Sequence, residues 1–210
     1  MDRRSGRGVA LLAMLLSALA PGLATAQEEI PPPAGKGPLV VVLSGTGGAG
    51  SIRDVAVRIA GLGYDVVLYD SNAIVAGKQS GVCAEVIAAI AKARQMPRAL
   101  PGKYGLVGFS LGGGLAFSYQ CPFSDPPAVV AAWYVMFAGT ADDYKICCTI
   151  GKAREIAAAA QAANAPFELT TYQGAKHAFA QTAAVTTYDR ASTDDALGRT
   201  AAALKRYLGN

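Results

Sequence analysis

Residues 39–50 read LVVVLSGTGGAG. Five apolar residues, Leu39 to Leu43, have the length and composition of a buried strand, and they break into a glycine-rich turn. Gly45-Thr46-Gly47-Gly48-Ala49-Gly50 satisfies G-x-G-x-x-G, and Asp70 lies 20 residues beyond Gly50. That spacing fits a dinucleotide-binding turn, with the acid placed to meet a ribose. The same turn could instead offer backbone N–H groups to an oxyanion. Deciding between the two requires the rest of the chain.

Downstream, short apolar runs rich in Val and Tyr alternate with alanine-rich runs of helical length. Strands are expected at Leu39 to Leu43, Asp65 to Tyr69, Tyr104 to Phe109, Val129 to Phe137 and Phe167 to Tyr172. Helices are expected at Ser51 to Leu62, Gly81 to Met96, Leu111 to Gln120, Gly151 to Asn164 and Ala191 to Leu208. Alternation of this kind demands crossover connections, hence a mostly parallel sheet with helices on both faces. Ligands of such sheets sit beyond the carboxyl ends of the strands. The turns leaving those strands are therefore where chemistry is sought.

Three of them carry reactive groups. Gly108-Phe109-Ser110-Leu111-Gly112 is G-x-S-x-G at a strand-to-helix junction, where a tight turn lifts the serine hydroxyl above the sheet at a helix N-terminus. A serine at its free pKa needs a base. The chain's one histidine, His177, follows the strand candidate ending at Tyr172. An imidazole in turn wants an anion to fix its tautomer, and Asp142 and Asp143 follow the apolar run through Phe137. Ser110, Asp142 and His177 stand in the chain order nucleophile, acid, histidine, with Asp143 open as the acid instead.

The dinucleotide reading keeps one further support, since Tyr172 and Lys176 supply a Y-x-x-x-K pair. That pair works only on a helical face, and the segment reads as a strand interrupted by Gly174. An oxidoreductase binding NAD(P) would also leave Ser110 and His177 idle. A non-catalytic binding protein that retains the elbow as scaffold is the other alternative.

The first 26 residues read as a secretory signal: Arg3, Arg4 and Arg7, an apolar stretch from Val9 to Ala20, and Ala24-Thr25-Ala26 before Gln27. The apolar stretch is shorter than the ~20 residues that span a bilayer, so no stable membrane insertion is expected after cleavage. Residues 27–37, with Pro31-Pro32-Pro33, read as a stiff leader lying outside the sheet. Residues 38–210 make the domain. Removing residues 1–26 from totals of 19 basic and 15 acidic residues leaves 16 and 14, a balance that gives nucleic-acid binding no support. Cys83, Cys121, Cys147 and Cys148 all lie in the exported part, periplasmic or secreted, where one or two disulfides can form.

Taken with their context, GFSLGGGLAF, FAGTADDY and YQGAKHAF resemble the nucleophile, acid and histidine segments of the dienelactone hydrolase-like family of α/β-hydrolases. SGTGGAGSIRDVAVRIAGLGYDVVLYD resembles that family's first strand, oxyanion turn and following helix. The resemblance spans residues 38–208. It implies the α/β-hydrolase fold, here minimal and without a lid domain, and cleavage of a small-molecule acyl substrate by a serine esterase. It also implies Ser110 as nucleophile, Asp142 as the acid, His177 as the base, and the backbone N–H groups of Thr46 and Leu111 as oxyanion donors. Neither a metal nor an organic cofactor is implied, because protein groups supply the chemistry.

Three features depart from the family's pattern. Dienelactone hydrolases proper carry cysteine where Ser110 stands, and relatives often have His-Gly where this chain has Ser44-Gly45. The apolar run Ala128 to Gly139 has no turn residue inside it, and as a single strand it would reach ~40 Å, about twice the usual length. Either one strand does the work of two or a connection is missing.

Overall fold

The structure, a computed structural model, describes residues 27–76, 81–116, 121, 123–134 and 150–209. Five strands are present among them: β1 (Gln27–Ile30), β2 (Gly37–Leu43), β3 (Asp65–Tyr69), β4 (Ala99–Phe109) and β5 (Val129–Trp133). The helices are α1 (Arg53–Gly61), α2 (Ser71–Val75), α3 (Val82–Ala93), α4 (Leu111–Ala116), α5 (Ile150–Ala162) and α6 (Arg190–Leu208). The strands form one sheet in the order β1-β3-β2-β4-β5, with β2 to β5 parallel and β1 antiparallel at the edge.

Period-2 alternation divides the core in two. Val40, Val42, Val66 and Leu68 point to one face and pack with Val55, Ala56 and Ile59 of α1 and with Leu197 and Leu204 of α6. Leu39, Val41, Leu43, Val67 and Tyr69 point to the other, against Val86, Ala89, Ile90 and Ala93 of α3 and Leu115 of α4. Burial on both faces is why β2 and β3 read as continuous apolar runs rather than alternating ones. At roughly 1.5–3 kcal/mol for each large aliphatic side chain removed from water, this two-sided burial fixes the register.

That register aligns the carboxyl ends of the parallel strands. Leu43 pairs with Tyr69 and with Gly108, and Phe109 pairs with Trp133. Ser44, Asp70, Ser110 and Tyr134, each the first residue past its strand, therefore share one rim.

Three expectations need correction. The leader is not outside the sheet, because residues 27–30 form β1 against β3. Ile30 enters the core, and Glu28 and Glu29 find Arg53 and Arg98, which gives this short polar segment a reason to add to an open edge. Phe167 to Tyr172 is not a strand, its backbone taking no regular secondary structure. The apolar run from Ala128 does not continue as one long strand: β5 ends at Trp133, and Tyr134 turns to a left-handed φ of 35°. Residues 135–137, like the 117–120 part of the expected third helix, lie outside the described residues. So do the expected 26-residue signal, Asp142, Asp143, Cys147 and Cys148.

Cys83 and Cys121 form a disulfide with their Cα atoms 5.1 Å apart, joining the start of α3 to the segment beyond α4. Among the described residues no helix is long and apolar enough to cross a membrane.

Candidate active site

The junction between β4 and α4 is shaped by what its two glycines exclude. A Cβ on Gly108 would collide with the Gly112 carbonyl, and one on Gly112 would collide with the carbonyls of Leu43 and Ser44. Between them Ser110 takes φ 52°, a left-handed conformation that serine adopts only under constraint. The constraint is visible: the Ser110 amide donates to the Trp133 carbonyl at 3.0 Å, and the Gly114 amide donates back to the Ser110 carbonyl at 3.0 Å. The side chain is thus held at the rim, at the start of α4, and is 2 % exposed.

His177 reaches it from a different part of the chain. Its Nε2 lies 2.9 Å from Ser110 Oγ across 67 residues of sequence. The turn carrying it is anchored at Phe179, whose carbonyl accepts from the Asp189 amide and from the Thr193 hydroxyl at the start of α6. Phe179 itself packs on Trp133, Tyr134 and Tyr172, so the histidine turn sits on an aromatic floor. His177 as a residue is exposed, yet partial burial of its ring holds the imidazole pKa below the ordinary 6.5. A neutral ring at neutral pH can accept a proton from the serine.

The glycine turn after β2 lies directly over this pair. Gly45 comes so near that a Cβ there would stand 3.1 Å from Ser110 Cβ and 3.3 Å from the Phe109 carbonyl oxygen. Thr46 follows, exposed, its carbonyl accepting from Asn72 Nδ2 at 3.1 Å. Ser44 is buried and braces the same turn, its hydroxyl accepting from the Ser71 amide at 3.0 Å and donating to the Gly45 carbonyl at 3.1 Å. Leu111, whose N–H heads α4, and Thr46 are brought to the same rim as Ser110 and His177. The roles of Ser44 and Asn72 were not singled out from sequence; their positions just past β2 and β3 were the available signal.

The residues of the dinucleotide reading are engaged elsewhere. Asp70 caps α2, its carboxylate accepting from the Asn72 amide at 2.9 Å. Tyr172 donates to Asp195 and Lys176 to the Thr186 carbonyl, and neither lies on a helix. Among the described residues no three His, Cys, Asp or Glu side chains converge as a metal centre would require.

A model of the Dienelactone hydrolase family matches residues 25–208. The chain belongs to this family. The dienelactone hydrolase fold is also found by shape. A dienelactone hydrolase-like promiscuous phosphotriesterase from metagenomic libraries is 14 % identical with a TM-score of 0.66, over 83 % of this chain and 88 % of that one. Esterase PE8 is 17 % identical with a TM-score of 0.59, over 86 % and 98 %. A dienelactone hydrolase from Anabaena variabilis is 15 % identical with a TM-score of 0.55, over 87 % and 91 %. No curated protein resembles the chain significantly in sequence. The α/β-hydrolase architecture expected from the sequence is the one present, and no lid domain stands apart from it among the described residues.

Proposed function

We propose that this dienelactone hydrolase family member is an exported serine hydrolase that cleaves small ester or related acyl substrates through an acyl-enzyme. The observation that carries the proposal is the 2.9 Å approach of His177 Nε2 to Ser110 Oγ at a strained strand-to-helix turn. Such a pair is the minimal apparatus of an activated serine.

The reaction follows from the groups at the rim. As Ser110 Oγ attacks the acyl carbon, His177 Nε2 takes the hydroxyl proton, and the carbonyl oxygen becomes an oxyanion facing the N–H groups of Thr46 and Leu111. The imidazolium then returns the proton to the leaving oxygen, whose bond to carbon breaks. Water repeats the attack on the acyl-enzyme with His177 again as base, and the acid is released with Ser110 restored. Asp142 is assigned the task of orienting His177 on chain order and family resemblance, with Asp143 as the alternative. Dedicated oxyanion donors of this kind contribute roughly 3–4 kcal/mol each to the barrier reduction.

Export is supported by the signal-like residues 1–26 and by the Cys83–Cys121 bond, which persists in oxidising compartments. Purification from the periplasm or medium with Gln27 at the N-terminus is the expected result.

The test is labelling with a serine-reactive phosphonate together with a panel of chromogenic acyl esters of graded length. Wild type should take up one label at Ser110 and turn over the shorter esters, and Ser110→Ala should do neither. Unlabelled wild type that hydrolyses no ester would remove the catalytic reading and leave a binding protein built on the same scaffold.

A further inference from the structure

Tyr134 occupies the place on the rim that Ser110 occupies one strand away, the first residue past β5. Two of its features are unfavourable in themselves. Its backbone takes φ 35°, which a bulky residue rarely adopts, and its hydroxyl is buried with no hydrogen-bond partner among the described residues. Glycine or asparagine would relieve the first and phenylalanine the second. What the conformation achieves is a placement. The left-handed turn directs the ring away from the line of β5 and in among Phe109, Phe179 and His177, with centroids 5.9, 5.1 and 5.2 Å away.

The contact with His177 is edge-on, the two ring planes inclined at 69°. An imidazole on an exposed turn has several staggered orientations open to it, and only one puts Nε2 on Ser110 Oγ. With Ser110 on one side, a rigid aromatic wall on another restricts rotation to that orientation.

We propose that Tyr134 is a positioning residue, its ring holding the His177 imidazole in line with Ser110 and shielding it from water. The inference rests on the reading of Ser110 and His177 as nucleophile and base. The ring carries the role and the hydroxyl does not, because the hydroxyl reaches no acceptor among the described residues. Burial is also the cause that lowers the His177 pKa, and the ring of Tyr134 supplies part of that burial. Among the described residues, Lys176 beside His177 in the chain donates to the Thr186 carbonyl, and Asp195 is held by Tyr172 and Arg199.

His177 is the chain's one histidine, so its imidazole gives a single, unambiguous set of NMR signals. The experiment titrates those signals in wild type, Tyr134→Phe and Tyr134→Leu, alongside steady-state hydrolysis of a chromogenic acetyl ester. Tyr134→Phe should match wild type in midpoint and in kcat. Tyr134→Leu should raise the midpoint by roughly half a pH unit as water reaches the ring, and lower kcat about tenfold or more with KM little changed. Tyr134→Met, which keeps the bulk without the planar wall, supplies the same comparison if the leucine variant fails to give a native circular dichroism spectrum.

A folded leucine or methionine variant with wild-type midpoint and kcat would overturn the proposal. A phenylalanine variant as impaired as the leucine one would do the same by moving the role to the hydroxyl. If wild type neither reacts with phosphonate nor turns over ester, the hydrolase reading fails. The titrations still decide separately whether Tyr134 governs the state of His177.

Discussion

The Gly112 amide donates to the Ser44 carbonyl at 2.9 Å, tying the serine elbow to the glycine turn of the neighbouring strand. Both proposed oxyanion donors therefore belong to one hydrogen-bonded unit: Leu111 lies one residue before Gly112, and Thr46 two residues after Ser44. Gly45 closes the unit over Ser110 so tightly that a methyl group there would stand 3.1 Å from Ser110 Cβ and make its neighbours give by a few tenths of an ångström. Gly45→Ala should lower kcat/KM roughly 10–100-fold by displacing the turn by a fraction of an ångström, with little change in unfolding midpoint. Gly61→Ala, at the end of α1 where a Cβ meets nothing within 4 Å, is the control and should retain wild-type activity. Equal activity in the two variants would break the link between the turn and the chemistry.

With His177 as the proposed base, its state sets the expected pH profile. Its folded-state pKa lies below the ordinary 6.5, so the neutral, proton-accepting ring persists to lower pH than it would in a free peptide. The acid limb of kcat/KM should have its midpoint below pH 6.5, with full activity from about pH 7 upward. The same sign governs stability, since a depressed histidine pKa contributes stability above 6.5 that is lost as pH falls through the folded value. A rate profile whose acid limb lies above 6.5 would contradict this.

The acid is separable by mutation. Replacing a carboxylate that orients the histidine costs up to about 10⁴ in kcat, because the wrong tautomer predominates. Asp142→Asn should approach that loss, whereas Asp143→Asn should stay within about tenfold. The reverse ranking would exchange their roles, and two mild effects would mean that neither orients His177.

Those assignments show how unevenly sequence displays a structure. The parallel sheet was legible because β2 and β3 are apolar on both faces, and Ser110 because its glycines answer to steric demands that no larger residue meets. His177 was legible for want of any competing imidazole. β1 was hidden: Gln27 to Ile30 is too short and polar to announce a strand, and its reason to pair lies in Arg53, Arg98 and the open edge of β3. Tyr134 was hidden for the opposite reason. It sits in an unbroken apolar run, and its left-handed turn and ring contacts with Phe109 and Phe179 are tertiary features that periodicity cannot register.

The Cys83–Cys121 bond closes a loop of 38 residues that contains β4, Ser110 and α4. Cross-linking a loop of that size restricts the unfolded chain by up to about 4 kcal/mol. The double variant Cys83→Ser/Cys121→Ser should unfold roughly 5–10 °C lower than wild type, and addition of a reductant should lower wild type by the same amount. A melting temperature unchanged by either treatment would show that the bond adds nothing to the stability of the serine-bearing half.

At the opposite end of the sheet from Ser110, Asp65 opens β3 fully buried, both carboxylate oxygens without a hydrogen-bond partner among the described residues. Burial, and secondarily the charge of Glu29, raise its pKa from 3.8 to about 6, while Arg98 opposes the rise. The folded protein thus binds this proton more tightly than the unfolded chain. Its stabilising contribution is complete below pH 3.8 and is lost as pH rises through 6. At neutral pH the fold therefore carries a buried charge that an amide of the same shape would not impose. Asp65→Asn should be more stable than wild type by about 1–3 kcal/mol at pH 8, and the difference should vanish near pH 4. Chemical denaturation of both proteins across pH 4–8 measures it. A variant less stable than wild type at pH 8 would mean that the ionised carboxylate is held by interactions stronger than those of Arg98.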